Sequence, residues 1–327
     1  MSVTKLEIHF LHVGHGDCTI IDFPDRLTVV DINNCKKLAG PTRDELRKRY
    51  SHGATFSSSS LAAYVVDAQV DKDQSHLVDP IDYLKAKFPG RSIFRYIQTH
   101  PDMDHMGGLN RLGDEGYIVT NFWDTDHCIS KDMELNKWAQ VNHDEKDWDR
   151  YQTFHSGGFK DCTILKLREG AVAQFYKDDG ISIWAPFENT KSTDPEADPN
   201  YFSYVLQIQH GKCSIVLGGD LPAEMWDKLL ERRKGALPKA HLLKASHHGR
   251  RSGYSIDAVK AMNPDATICS VGELHNKHDA SASYERFSTH GCYSTIDHGT
   301  IVAKCWSDGD VWLMNSSGQN ILKTGPS

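Results

Sequence analysis

Six consecutive residues, from His100 to His105, constrain the fold of this chain more than any other segment. They run His-Pro-Asp-Met-Asp-His and follow residues 92–99, whose apolar, β-branched and aromatic side chains predict a buried strand. Gly107 and Gly108 then begin a stretch that predicts a short helix. The imidazoles and carboxylates therefore lie where a strand ends and a helix begins, which is a common position for a site in an α/β fold.

The four polar side chains of this segment are His100, Asp102, Asp104 and His105. Imidazole and carboxylate together suit Zn, Mn or Fe without any thiolate. A metal ion lowers the pKa of a bound water to about 7, so hydroxide is available at neutral pH. Asp104 is placed to orient such a water or to receive its proton. Taken alone, the segment also fits a solvated polar turn.

Two further apolar runs end in possible metal ligands. The first, 214–217, leads through Gly-Gly to Asp220, although Asp220 could instead be only the N-cap of a helix predicted near 222–234. The second precedes the pair His247-His248, which an exposed loop could also contain without a function. Three strand ends with His or Asp side chains in one chain favour a common metal site.

In this order the motifs resemble the metallo-β-lactamase superfamily, whose signature is H-x-H-x-D-H after a strand, an Asp after a later strand and a late His. Within it, they resemble the hydrolase domain of the competence protein ComEC and its free-standing soluble relatives. The resemblance extends over most of the chain, through segments 11–18, 28–31, 100–105, 200–206, 218–220, 246–249, 276–278 and 297–301.

The resemblance implies an α/β fold, an αββα sandwich of two mixed sheets flanked by helices, with metal at one sheet edge. It implies one or two Zn or Mn ions, with Asp220 able to bridge two. The implied ligands are His100, Asp102, Asp104, His105, Asp220 and one of His247 or His248. Because Asp102 replaces the second His of the signature with a harder ligand, it favours Mn or Mg over Zn.

Other positions are expected to complete the site. The superfamily's middle His has no clear counterpart, and His127 and His155 are the two candidates, with ordinary loop histidines as the alternative for each. His278 is expected to be a general acid or a substrate contact. Asp17 and Asp31 are further candidates for metal or substrate contacts. Arg250 and Arg251 are candidates for binding a substrate phosphate.

The composition is typical of a folded protein outside the membrane. The 327 residues are 39% hydrophobic and 25% charged, mean hydropathy is −0.52, and no long apolar span predicts a transmembrane helix. A net charge of −7 disfavours a protein that coats nucleic acid, but it does not exclude a nuclease, since metal ions supply positive charge. Eight scattered cysteines without a C-x-x-C pair favour a reducing, cytoplasmic compartment.

We expect a single domain over 1–327 with insertions at 33–90 and 128–160, the second packed onto the body by Trp138 and Trp148. The first insertion is expected to be a lid or a partner surface, and a homo-oligomer is possible. The predicted function is a metal-dependent hydrolase acting on a small-molecule or nucleic-acid phosphodiester. The alternatives are cleavage of a carboxylic ester, lactone or amide, and a non-catalytic binding protein with a degenerate metal site.

Overall fold

The computed structural model of the chain describes residues 3–35, 37–38, 40–53, 60–138, 143–190, 193–271 and 277–325. Asn276, part of the late motif noted above, lies outside these ranges. The strands are β1 (Lys5–Phe10), β2 (Thr19–Asp22), β3 (Leu27–Val30), β4 (Ile93–Ile97), β5 (Val119–Asp124), β6 (Thr163–Lys166), β7 (Ile181–Ala185), β8 (Val205–His210), β9 (Cys213–Leu217), β10 (Leu242–Lys244), β11 (Ala266–Cys269), β12 (Cys292–Ser294), β13 (Ile301–Trp306), β14 (Val311–Met314) and β15 (Asn320–Lys323).

The helices alternate with these strands along most of the chain. They are α1 (Gly40–Gly53), α2 (Ser60–Ser75), α3 (Pro80–Lys87), α4 (Leu109–Asp114), α5 (Lys131–Lys137), α6 (Glu145–His155), α7 (Gln174–Asp178), α8 (Ala223–Arg232), α9 (Ile256–Met262), α10 (Ser281–Phe287) and α11 (Thr295–His298). Among the described residues, none of these helices combines the length and the apolar character needed to cross a bilayer.

The strands form two mixed sheets. One has the order β15-β14-β13-β1-β2-β3-β4-β5-β6 and the other has the order β12-β11-β10-β9-β8-β7. In the first sheet β3, β4, β5 and β6 are parallel neighbours, and in the second β9, β10, β11 and β12 are parallel neighbours. The carboxyl ends of each parallel set therefore meet at one edge of its sheet, where loops can bring polar side chains together.

Apolar side chains between the two sheets form the central core. Phe10 of β1 packs in the same cluster as Leu206 of β8 and Ile215 of β9. The next residue on β9, Val216, belongs instead to the cluster beneath α8 and α9, because side chains alternate between the faces of a strand. All five residues of β9 are buried, so its sequence is a continuous apolar run rather than an alternating one.

Helices cover the outer face of each sheet. Trp226 of α8 and Val259 of α9 pack on the second sheet, while Leu84 of α3, Leu112 of α4 and Trp148 of α6 pack on the first. The resulting order of layers, helix, sheet, sheet and helix, confirms the predicted αββα sandwich.

The two tryptophans of the segment 128–160 both contact the body of the protein. Trp148 of α6 is fully buried in the cluster on the outer face of the first sheet, and Trp138 packs against the same cluster. The suggestion that Asp220 is only a helix cap is wrong. Pro222 is the N-cap of α8 and no side chain caps its first turn.

Candidate metal centre

Imidazoles and carboxylates supplied by both sheets meet beyond the carboxyl ends of their strands. Asp17, His105, Asp220 and His248 each offer one ligand atom, and these four atoms lie within 4.8 Å of one another. Asp104 reaches the same place, since its Oδ2 is 3.2 Å from Nε2 of His248. All five side chains are buried, and we call them the central cluster.

Asp31, which directly follows β3, positions His105. Its Oδ1 accepts a hydrogen bond from the Thr99 backbone N–H at 2.8 Å, and its Oδ2 lies 2.7 Å from Nδ1 of His105. This contact turns Nε2 of His105 toward Asp220, whose Oδ2 is 3.3 Å away. A carboxylate behind the far nitrogen of an imidazole is the usual support for a metal-binding histidine.

Backbone strain is concentrated at the same place. Of the five described non-glycine residues with positive φ, three are Asp31 (φ 56°), His247 (φ 50°) and His248 (φ 57°). Left-handed backbone costs about 1–3 kcal/mol per residue outside glycine, and it clusters at functional sites because the surrounding structure must enforce it. The conformation aims the two neighbouring imidazoles in different directions.

Only one histidine of this pair enters the central cluster. Nε2 of His248 lies 3.2 Å from Oδ2 of Asp220, whereas Nε2 of His247 is 3.8 Å from the same oxygen. Nδ1 of His247 instead contacts Oγ of Ser252 at 2.9 Å, and its ring is partly exposed. Between the two alternatives that the sequence left open, the geometry favours His248 as the ligand.

The turn before Asp17 packs directly on the segment that contains the metal-binding motif. The Asp17 backbone N–H donates to the carbonyl of Asp104 at 3.1 Å. Gly16 has φ +127°, and a Cβ there would lie 2.2 Å from that same carbonyl oxygen, so only glycine permits this approach. The carboxylate of Asp17 then forms a buried ion pair with Nζ of Lys244 at 2.5 Å.

The charges of the central cluster are strongly coupled. Burial by itself lowers the pKa of His105 and His248, but the surrounding carboxylates, Asp220 foremost, outweigh it and raise both pKa values well above the ordinary range. Burial likewise favours the neutral forms of Asp104 and Asp220, yet the nearby histidines hold the pKa of each carboxyl well below its usual range. Without a metal ion, protons on the imidazoles balance the carboxylates.

Several buried nitrogen and oxygen atoms of the central cluster lie close to one another, but the angles between them do not allow a hydrogen bond. Among the described residues, Nε2 of His105, Nε2 of His248 and Oδ1 of Asp220 lack a hydrogen-bond partner. Buried polar atoms are rarely left in this state, because an unsatisfied group costs about 1–3 kcal/mol. Imidazole nitrogens and carboxylate oxygens that converge in this way fit a divalent cation, which would release the imidazole protons on binding.

His100 lies beside the cluster with a free coordinating nitrogen. The ring is fully buried, Nδ1 lies 3.0 Å from Oγ1 of Thr99, and Nε2 has no hydrogen-bond partner in the described structure. Burial, followed by the charge of His105, holds the pKa of His100 well below its ordinary value. The ring is therefore neutral, as a metal ligand must be.

Asp102 is not brought into the central cluster. Its Oδ1 accepts a hydrogen bond from Nε1 of Trp138 at 2.6 Å, and its Oδ2 pairs with Nζ of Lys137. The two candidates for the missing middle histidine, His127 and His155, also lie elsewhere. They gather with Asp124 in a second group, which we call the Asp124 cluster.

The expected substrate contacts lie on adjoining segments, and we call this group the rim: Arg250, Arg251 and His278. Nη2 of Arg250 is 3.3 Å from Nδ1 of His15, and Nε2 of that histidine is 3.2 Å from Oδ2 of Asp104. The Arg251 backbone N–H donates to the His278 carbonyl at 2.7 Å, which joins two segments that are distant in sequence. Arg251 and His278 are both exposed.

Some residues at the centre were not foreseen from the sequence. His15 lies between two glycines just before Asp17, so its position in the 11–18 motif was a usable signal. The contacts of Lys137 and Trp138 with Asp102 had no such signal, because both residues lie in the predicted insertion 128–160 and reach Asp102 only through the packing of α5.

Comparison with known proteins gives one curated relative and several structures of similar fold. No protein-family model matches the chain. The ComE operon protein 3 of Bacillus subtilis (strain 168) is 25% identical over 182 residues, which cover 56% of this chain and 20% of that protein. The match thus spans about a fifth of the relative's length.

The similar structures share low sequence identity with this chain. The metallo-beta-lactamase fold protein YhfI from Bacillus subtilis has a TM-score of 0.44 and 8% identity, covering 88% of this chain and 95% of that one. Tm1679, a metal-dependent hydrolase of the beta-lactamase superfamily, has a TM-score of 0.45 and 11% identity, covering 88% and 94%. A diphosphatase from the PhnP family has a TM-score of 0.42 and 10% identity, covering 93% and 99%.

The structure agrees with the fold that the sequence motifs predicted. It has the expected order of layers and two mixed sheets, and the central cluster lies at the expected sheet edge. Four of the motif segments lie at the carboxyl ends of parallel strands, namely 28–31 at β3, 100–105 at β4, 218–220 at β9 and 246–249 at β10. The chain therefore has the αββα layers that the resemblance to the metallo-β-lactamase superfamily implied, with a His and Asp cluster able to hold metal where the two sheets meet.

Proposed function

We propose that this chain is a metal-dependent hydrolase that uses a metal-activated water to cleave a phosphodiester, as a nuclease or a small phosphodiesterase. The observation that supports it most is the convergence of buried, unpartnered atoms from His105, Asp220 and His248. A hydrogen-bonded structural network would have satisfied these atoms within the protein. A divalent ion would satisfy them together.

The residues that would hold the ion are Asp104, His105, Asp220 and His248, with His100 adjacent. This mixture of imidazole and carboxylate suits Zn or Mn. When bound, such an ion supplies hydroxide at neutral pH and polarises the phosphoryl oxygen. Asp17 balances its charge against Lys244 and borders the same space.

The protein's own groups account for the rest of the proposed mechanism. Asp104 stays ionised, so its carboxylate can orient the attacking water beside the ion that it would help to hold. Asp31 fixes the ring of His105 through Nδ1 and prevents it from rotating during the reaction. His278, at the exposed rim, is the proposed general acid for the leaving oxygen.

A phosphodiester is favoured over other substrates by the cations at the rim. Arg250 and Arg251 follow His248 directly, and Arg250 lies beside the histidine that contacts Asp104. A guanidinium presents donors in the fork geometry that matches phosphate oxygens. These two side chains are the proposed phosphate contacts.

The test combines metal analysis with hydrolysis. Protein purified without chelator is analysed for bound metal, and turnover of bis-p-nitrophenyl phosphate is measured with added Mn or Zn. Bound metal, together with turnover that Arg250→Ala reduces, would support the proposal. DNA, RNA and cyclic nucleotides would then be tested as substrates. Bound metal with turnover of p-nitrophenyl acetate or a lactone instead would favour an esterase or lactonase. No metal after reconstitution would contradict the hydrolase and favour a binding protein.

A further inference from the structure

His15 joins one of the proposed phosphate contacts to the central cluster. Its Nε2 lies 3.2 Å from Oδ2 of Asp104, and its Nδ1 lies 3.3 Å from Nη2 of Arg250. The ring also lies 5.2 Å, centroid to centroid, from that of His248. The ligand atoms of His15, Asp104 and His248 are all within 4.8 Å of one another, so distance alone would allow His15 to be a metal ligand.

The contact with Arg250 decides which role the imidazole has. A guanidinium only donates hydrogen bonds, so the ring nitrogen that faces it must accept. Nη2 of Arg250 is closer to Nδ1 than to Nε2 of His15, at 3.3 Å against 3.5 Å. With Nδ1 as the acceptor, the ring hydrogen is on Nε2, where it can be donated to the carboxylate of Asp104. A metal ion would need the lone pair of that same nitrogen, beside a cation that repels it.

The turn that carries His15 is fixed against the segment of Asp104. The Asp17 backbone N–H donates to the Asp104 carbonyl at 3.1 Å, and the His15 carbonyl accepts from Nδ2 of Asn33 at 2.5 Å. A side chain at Gly16 would collide with both of these contacts, so the turn packs as closely as a backbone can. The imidazole is therefore held over Asp104 by the fold itself.

Arg250 reaches the same ring from the second sheet. Its backbone N–H donates to the His247 carbonyl at 2.8 Å, and its carbonyl accepts from the Gly253 N–H at 3.1 Å, so a tight turn holds it. The side chain of His15 is 17% exposed, whereas that of Asp104 is 5% exposed. The contacts thus lead from the rim, through one imidazole, to a buried carboxylate.

We propose that His15 is a positioning residue that sets the distance between Arg250 and the carboxylate of Asp104. The inference rests on the proposed function, in which Arg250 binds a phosphate oxygen and Asp104 orients the attacking water. The imidazole accepts from the guanidinium and donates to the carboxylate, so both groups are in place before a substrate binds. Groups held in this way need little rearrangement during the reaction, which raises its rate.

The first measurement is the position of the ring hydrogen, which does not depend on activity. Long-range proton–nitrogen correlation spectra of protein with isotope-labelled histidine distinguish Nδ1–H from Nε2–H, and His15→Gln assigns the signal. We expect the hydrogen on Nε2 in chelator-stripped protein and after saturation with diamagnetic Zn. Coordination by His15 would remove that hydrogen and shift the Nε2 resonance, which would overturn the positioning role.

Two substitutions separate positioning from coordination. Gln presents a carbonyl that can accept from Arg250 and an amide that can donate to Asp104, but imidazole is the far better ligand for Zn. His15→Gln should therefore bind as much metal as the wild type and keep kcat within about threefold, a smaller loss than removal of a supporting partner causes. His15→Leu removes both bonds, so kcat for bis-p-nitrophenyl phosphate should fall by about 10- to 100-fold at unchanged metal content.

A double-mutant cycle tests the link between His15 and Arg250. Arg250→Ala should lower kcat/KM much less in His15→Leu than in the wild type, because the guanidinium has already lost its support. Two residues that act independently would give losses that multiply. His210→Leu removes a histidine that lies 3.2 Å from Oγ1 of Thr4, and as the matched control it should leave metal binding and turnover unchanged. Circular dichroism verifies that each variant is folded.

The outcomes separate this inference from the proposed function. Wild-type turnover in a folded His15→Leu, or losses that multiply in the cycle, would overturn the role of His15 and leave the hydrolase proposal standing. Loss of metal in His15→Gln would overturn it equally, because His15 would then be a ligand. A wild type that binds no Mn or Zn and hydrolyses no phosphodiester would overturn both.

Discussion

Two groups of His and Asp side chains differ in how their polar atoms are satisfied. In the Asp124 cluster, Oδ1 of Asp124 accepts from the Tyr151 hydroxyl at 2.8 Å and Oδ2 lies 2.5 Å from Nδ1 of His155. Nδ1 of His127 accepts from the Ile129 backbone N–H at 3.1 Å, and its Nε2 lies 2.5 Å from the Tyr151 hydroxyl. Each of these atoms already has a protein partner.

The central cluster is the opposite case. It brings three carboxylates against two imidazoles, and atoms of His105, Asp220 and His248 are buried without hydrogen-bonding geometry. The pKa values follow the same division. Surrounding carboxylates raise the pKa of His105 and His248, whereas burial lowers the pKa of His127 to about 4. Ligand type alone does not distinguish a metal centre from a hydrogen-bonded network, but unsatisfied buried atoms and a surplus of carboxylates over imidazoles do.

The largest expected effect is at Asp220. Asp220→Asn removes a negative charge that faces two imidazoles, so metal affinity and turnover should both fall at least about a hundred-fold, beyond the typical loss for a supporting residue. Metal affinity is measured by competition with a chromophoric chelator. Asp227→Asn, on the exposed face of α8, is the matched control and should change neither quantity. Unchanged metal affinity in Asp220→Asn would remove the distinction between the clusters.

A smaller effect is expected behind His105. Asp31→Asn keeps a residue type that tolerates the left-handed backbone found there, but it weakens the support of Nδ1 on His105. Metal affinity should fall by about 10- to 100-fold. Isothermal titration calorimetry of the chelator-stripped protein measures it. An effect below about twofold would mean that the His105 ring is held by packing alone.

The Asp124 cluster should respond in stability rather than in metal binding. Asp124→Asn leaves the buried Tyr151 hydroxyl and His155 with a weaker acceptor, so the free energy of unfolding should fall by about 1–3 kcal/mol. Urea denaturation measures this change. Mn and Zn binding should stay as in the wild type, and lost metal would show that this cluster is the metal site.

The smallest effect is a pH dependence from His127. Its pKa is about 4 in the folded chain and about 6.5 when unfolded, so below pH 6.5 the unfolded state binds the proton more readily. Stability should therefore fall as the pH drops, by roughly 1 kcal/mol between pH 7 and 5.5 from this residue.

His127→Gln isolates that contribution. In chelator-treated protein the central cluster titrates alike in the wild type and in His127→Gln. The difference between their slopes of unfolding free energy against pH is therefore due to His127. The variant should lose less stability than the wild type over the same pH interval. Equal slopes would mean that His127 does not stay neutral in the folded chain.

Much of the fold was predictable because its signals are local. The apolar run 213–217 is buried on both faces, and such runs indicate a covered strand without knowledge of its neighbours. Polar residues directly after a strand, such as His100 and Asp220, indicated the edge at which a site would form. The helix predicted near 222–234 is α8 (Ala223–Arg232), and its N-cap is Pro222 rather than Asp220, the alternative that the sequence left open.

The contacts between distant segments were not predictable in this way. Asp102 matches the second position of the signature, yet its partners, Lys137 and Trp138, come from a helix more than thirty residues later. His127 and His155 are suitable ligands by type, but β5 and α6 carry them to Asp124 instead of to the central cluster. Which carboxylate meets which cation depends on how the layers pack.

By itself, the sequence determined the alternation of strands and helices, the strand ends that bear His and Asp, and the chemistry that such ligands allow, because periodicity and residue type are local properties. The αββα order of the layers was implied by the family resemblance. Tertiary structure alone decided that His248 rather than His247 faces Asp220, that Asp31 supports His105, and that Lys137 holds Asp102. The physical reason is distance. Coordination, desolvation and ion pairing act over a few ångströms between residues that only the folded layers bring together.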